Sequence, residues 1–155
     1  MSLESLVPVS EEVVSSMVLN PKQALGKNIE IHTDQLGFPE LNNCSVAIVG
    51  LLEIRNSFFP TAKFKLEDFR KSFYRLFPGN WNFKICDLGD LPNGATPQDT
   101  YFALKEICIH LRQLNIVSVF VGGSHDLIFP MYQSFQAIDQ LVNIVSVDQL
   151  INGLK

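Results

Sequence analysis

The stretch Val119-Phe120-Val121-Gly122-Gly123-Ser124-His125-Asp126 decides the fold: an apolar strand runs into two glycines, then a serine, a histidine and an aspartate. The strand itself is read as Val117 to Val121. Before it, Thr96 to Leu114 reads as a helix, with Thr96 as N-cap, Pro97 at the first helical position and Asp99 at the third. After it, Leu127 to Asp139 reads as a helix and Val142 to Val147 (VNIVSV) as a strand. Further upstream, Ser45 to Gly50 (SVAIVG) is almost wholly apolar, the mark of a strand buried on both faces. A helix is predicted from Leu66 to Phe77, with Phe69, Phe73, Leu76 and Phe77 on one face and Pro78-Gly79 as its stop. Asn82 to Leu88 reads as a second strand, more polar and so nearer a sheet edge. Strands separated by helices of this length make βαβ units. The expectation is an α/β fold, a three-layer α/β/α sandwich with a mainly parallel sheet and right-handed crossovers.

Residues 1–43 are less regularly patterned and read as an N-terminal extension to an α/β unit over 44–155. A short amphipathic helix is predicted from Ser10 to Leu19, ended by Pro21, and Asn28 to Thr33 reads as an edge strand. The sequence stops soon after Val147, where a site at the strand ends would continue, so a truncated domain is expected.

Composition narrows the function classes. The formal charge is −4 and no run of Lys and Arg occurs, which argues against a nucleic-acid or anionic-membrane surface. No apolar run approaches the ~20 residues that cross a bilayer. The N-terminus lacks the basic and apolar regions of a secretion signal. Cys44, Cys86 and Cys108 are odd in number, far apart and in apolar settings, as expected for reduced, buried thiols in a cytoplasmic protein. The 12 Phe predict an aromatic-rich core or a covered interface, with the core as the plainer reading.

Two glycines at a strand end let the backbone turn sharply or approach a ligand closely. A neutral imidazole just beyond them, His125, can bind a metal or move a proton; a hydrogen-bonded structural role is the plainer alternative. Val145-Ser146-Val147-Asp148 sets a carboxylate at the tip of the next expected strand, where Asp148 could share a cation such as Mn²⁺ with His125 or merely cap a turn. His110, mid-helix between Ile109 and Leu111, reads as packed or surface, and His32 has no partner in sequence. Asp87 and Asp90, around Gly89, read as turn formers ahead of substrate contacts. No P-loop, GxGxxG fingerprint or GxSxG elbow is present.

Four segments together resemble the ureohydrolase superfamily (arginases, agmatinases, formimidoylglutamases), most closely its formimidoylglutamase-like branch. Ser45 to Gly50 with Asn56 to Arg70 is similar to the family's first strand, loop and helix. Asp87-Leu88-Gly89-Asp90 is similar to the DxGD motif after its second strand. Gly122-Gly123-Ser124-His125 resembles the GGxH that supplies a metal ligand, and Val147-Asp148 the start of a DxHxD strand end. The resemblance implies an arginase-like fold and hydrolysis of amidine or guanidine C–N bonds by a pair of Mn²⁺ ions, which lower the pKa of a shared water. It implies that His125 ligates one metal and Asp148 bridges both. Leu150 and Asn152 stand where the pattern has histidine and aspartate, and Thr61, Lys65 and Leu66 where it has glycine, glycine and proline. Two ligands of about six are thus placed.

Three readings follow. The first is part of a metal-dependent hydrolase of guanidino or formimino substrates, inactive as this fragment. The second is a non-catalytic relative acting as a binding or assembly module, favoured by Leu150 and Asn152. The third, an unrelated flavodoxin-like domain, is disfavoured by the order of the motifs. An apolar edge left for further strands also predicts self-association into a homo-oligomer.

Overall fold

The structure, a computed structural model, describes residues 3–57, 65–145 and 147. A four-stranded, all-parallel sheet carries β1 (Glu30–Ile31), β2 (Cys44–Leu51), β3 (Lys84–Leu91) and β4 (Val117–Gly122) in the order β1-β3-β2-β4. Helix α1 (Glu11–Ser16) precedes β1, and α2 (Leu66–Phe73) joins β2 to β3. Helix α3 (Pro97–Gln113) joins β3 to β4, and α4 (Ile128–Gln136) follows β4.

Alternation along the strands builds the two faces. Ala47, Val49 and Leu51 of β2 and Cys86 and Leu88 of β3 pack against Leu104, Ile107, Cys108 and Leu111 of α3 and Leu127 before α4. Ile48 and Ile85 point the other way, towards Leu25 and Phe73 of α2. The result is the three-layer α/β/α sandwich expected. Each fully buried Leu or Ile in it stabilises by about 1.5–3 kcal/mol. Helix α3 begins as predicted: Thr96 Oγ1 accepts from Asp99 N at 3.3 Å while Asp99 accepts from Thr96 N at 2.7 Å. All three cysteines are free and buried. No helix among the described residues is long and apolar enough to cross a membrane.

Several expectations are corrected. The core is aliphatic: none of the described Phe is fully buried, and Phe77, Phe102 and Phe129 are more than half exposed. Helix α2 stops at Phe73 rather than Phe77, because the carbonyls of Tyr74 and Leu76 accept from Gly26 N (3.0 Å) and Leu25 N (2.7 Å). Gly26 is required there, since a Cβ would lie 2.7 Å from Tyr74 Cβ. The face of α2 that meets the sheet is Leu66, Arg70 and Tyr74, with Phe69 and Phe73 only half buried and Leu76 and Phe77 exposed. β3 is interior to the sheet, not at its edge, and runs on through Asp90 to Leu91.

The expected strand over Val142 to Val147 does not form in its described residues. An apolar run supplies faces for a sheet but not a partner. The fourth strand is instead β1, from the N-terminal region, which lies at the edge beyond β3. That region is also fastened further along: Val7 and Asp90 exchange backbone hydrogen bonds of 2.9 Å each, and Val9 and Val13 are buried with Ile31 and Tyr74. On the other flank, β4 pairs only with β2 among the described residues, and Val117 and Val119 are 63% and 42% exposed.

Candidate functional site

Because α2 and α3 lie on opposite faces, the chain leaves β2 towards one side of the sheet and leaves β4 towards the other. The carboxyl ends of these two neighbouring strands therefore bound a crevice at the topological switch point, where α/β sheets bind ligands. Gly122-Gly123-Ser124-His125 stands on one side of that crevice and 52–56 on the other.

The turn is tied across the gap by its backbone. Ser124 N donates to Glu53 O at 2.8 Å and Ser124 Oγ donates to the same oxygen at 3.2 Å. Gly122 and Gly123 both have positive φ, 89° and 77°, which is the conformational reason for two glycines here. Glu53 is itself fully buried. Its carboxylate accepts from Arg55 Nε at 2.9 Å and also pairs with Arg55 Nη2, while Thr100 Oγ1 donates at 3.0 Å. The Arg55 hydrogen bonds, working against burial, hold the Glu53 carboxyl down at about 2. Arg55 in turn donates to Ala95 O and Gly94 O, both at 3.0 Å, and so pins the start of α3 to the end of β2.

Beyond this network lies a smaller polar cluster. Asn56 Nδ2 donates to Tyr101 Oη at 2.9 Å and to Asp126 Oδ2 at 3.0 Å, and Tyr101 Oη donates to Asp126. Burial raises the Asp126 carboxyl, but bonds from Ser124, Tyr101 and Asn56 outweigh it and hold the group below its ordinary value. Burial and the bond to Asp126 push the Tyr101 phenol up. His125 stands exposed at the start of a 3-10 turn, His125–Leu127, between this cluster and a cleft of about 660 Å³. Leu51, Phe120 and Met131 give the cleft an apolar wall.

His125 thus stands just past the carboxyl end of β4, the strand end the sequence suggested. Asp148, its expected companion, lies outside the described residues, as do Leu150, Asn152 and Thr61. Among the described residues no three His, Cys, Asp or Glu side chains converge to hold a metal ion, and the nearest carboxylate in sequence, Asp126, is bonded to Tyr101 and Asn56 through Oδ2 alone.

The DxGD segment has a different role from the one expected. Asp87 is completely buried and accepts from Arg70 Nε at 2.9 Å, Arg70 Nη2 at 3.0 Å, Tyr74 Oη at 2.7 Å and Gly89 N at 3.0 Å. Arg70 Nη2 also donates to Gly89 O at 3.1 Å, and Nη1 lies 2.7 Å from Asp90 Oδ1. Burial opposes the charge on Arg70, yet Asp87 and Asp90 raise its pKa further. Burial raises the Asp90 carboxyl, with Arg70 pulling it back in part. Asp87 and Asp90 sit inside β3, in an ion cluster that fastens α2 to the sheet, not in a turn. His32 is also partnered: Nδ1 lies 3.1 Å from Leu88 O.

Arg70, Tyr74, Asn56 and Tyr101 were not singled out from sequence. An aspartate inside the apolar run KICDL was the available signal, since a buried carboxylate calls for a cation. No family model matches this chain, and no curated protein matches it either.

Proposed function

We propose that the chain is part of a ureohydrolase-type domain whose ligand site is the crevice between the ends of β2 and β4. The observation that supports this reading is the placement of the Gly122-Gly123-Ser124-His125 turn at the switch point of a parallel sheet, with an exposed imidazole beside an apolar cleft. The activity attached to such a site is hydrolysis of C–N bonds in guanidino or formimino compounds such as formimidoylglutamate. His125 and Asp148 are the ligands this sequence contributes towards Mn²⁺. Leu150 offers no donor and Asn152 only a neutral oxygen, so these 155 residues hold no complete pair of Mn²⁺ ions and do not turn over substrate.

Calorimetric titration with Mn²⁺ tests the reading. A single weak binding event is expected, abolished in His125→Ala. Mn²⁺ binding unchanged by His125→Ala, or no binding at all, would overturn the assignment of His125.

A second reading, a non-catalytic binding or assembly module on the same fold, is favoured by Leu150 and Asn152 and by the apolar outer edge of β4, which has no neighbouring strand on that side among the described residues. It predicts a homo-oligomer that needs no metal. Light scattering showing a monomer at high protein concentration, with and without Mn²⁺, would remove it.

A further inference from the structure

A second cleft opens on the opposite flank of the sheet, along the outer edge of β1, about 600 Å³ in volume. That is the size range of small-molecule sites, about 300–1,000 Å³. Its floor is the buried Ile31, and Val14, Met17 and Phe38 wall it. The wall is built rather than loose. Thr33 and Gly37 exchange backbone hydrogen bonds of 3.3 and 2.8 Å, and Leu36 N donates to Thr33 Oγ1 at 3.0 Å. The Phe38 ring meets His32 edge-on, with centroids 4.9 Å apart.

The charges around this apolar floor are of one sign. Glu11, Glu30, Asp34 and Glu40 line the cleft, and no Lys, Arg or His does. Glu30 is paired with Lys84. Glu11, Asp34 and Glu40 are exposed, with no side-chain hydrogen bond or ion pair among the described residues. One-signed charge over a low-dielectric wall draws the opposite ion and repels its own. An apolar surface of this size removes a hydrocarbon body from water.

We propose that this cleft binds a small amphipathic organic cation, an alkyl or aryl ammonium compound. Its hydrocarbon body lies on Met17 and Phe38, and its head sits among the three unpaired carboxylates. The site is separate from the crevice at β2 and β4, since β3 lies between β1 and the nearer wall of that crevice.

Amide chemical shifts of the full chain, titrated with hexylammonium, 1-hexanol and hexanoate, test the proposal. Hexylammonium is expected to shift the amides of Val14, Met17, Ile31 and Phe38 and to bind about tenfold more tightly than hexanol, a gain that three exposed carboxylates can together supply. Hexanoate should leave those amides unmoved. In a triple variant, Glu11→Gln, Asp34→Asn and Glu40→Gln, the preference for the cation should vanish while the spectrum stays that of the folded chain. Equal affinity for hexylammonium and hexanol, a preference that survives the triple variant, or shifts at Gly122 to His125 instead would each overturn it.

Discussion

The ends of β3 and β4 carry similar text, Asp-Leu-Gly-Asp and Gly-Gly-Ser-His-Asp, and do opposite things. At the end of β3 every polar group is turned inward. Asp87 collects four hydrogen bonds, and Arg70, itself buried, spans Asp87, Gly89 and the partly exposed Asp90. At the end of β4 the backbone is tied down, through Ser124 to Glu53, but the side chain that follows is left facing solvent. The first arrangement fixes a helix to a sheet, and the second holds a turn rigid so that it can present something. A strand-end motif is therefore assigned by where its side chains end, not by its letters.

The difference can be broken from the β3 side first. Asp87→Ala leaves the Arg70 guanidinium buried without its main partner and is expected to cost about 3–5 kcal/mol. Chemical denaturation measures this, and a loss below about 1 kcal/mol would mean that Arg70 escapes to water and that the cluster is not structural. Gly89→Ala is expected to cost about 1–3 kcal/mol. Gly89 has φ of 86° and an added Cβ would lie 2.0 Å from Val7 O. The damage should be local, seen as faster hydrogen exchange at the Val7 and Asp90 amides; unchanged protection there would contradict it.

On the β4 side the supporting carboxylate is Glu53, and its signature is in pH. Its folded-state pKa, about 2, lies below the ordinary glutamate value of 4.5. Its contribution is therefore whole above pH 4.5 and is lost as pH falls from 4.5 towards 2. Thermal melts across that window should show Glu53→Gln with a shallower acid decline than the parent; parallel slopes would show that the Arg55 pair adds nothing. The smallest effect is reserved for the exposed group. His125→Ala is expected to change stability by less than about 0.5 kcal/mol, so any loss of Mn²⁺ binding in that variant reads the site and not the fold.

Sequence carried the layers of this fold well where the pattern was local. The Thr96 capping box, the apolar run of β2 and the glycine turn after β4 are each written within a few consecutive residues, and each stands where expected. It failed where the deciding contact was distant. Arg70 gives no sign of being buried until Asp87, on another element, neutralises it, and counting Phe as inside put Leu76 and Phe77 in the core although both are exposed. The described residues of the run Val142 to Val147 have the composition of a strand and form none, whereas Glu30–Ile31 stands at the sheet edge beside β3, within the edge strand expected over Asn28 to Thr33. At the candidate site His125 was legible from its glycines. Asn56 and Tyr101 were not, because nothing near either residue announces the meeting with Asp126.

The pairing of Val7 with Asp90 also sets an order in time. Val7 and its neighbours cannot take their final place until a strand made more than seventy residues later has emerged and paired. Contacts so far apart along the chain slow folding. Until then Leu6, Val9 and Val13, all destined for the interior, travel with a nascent chain that has nowhere to put them. That seam can close only once β3 has emerged, and until it does these apolar residues are exposed to chaperones, proteases and neighbouring chains.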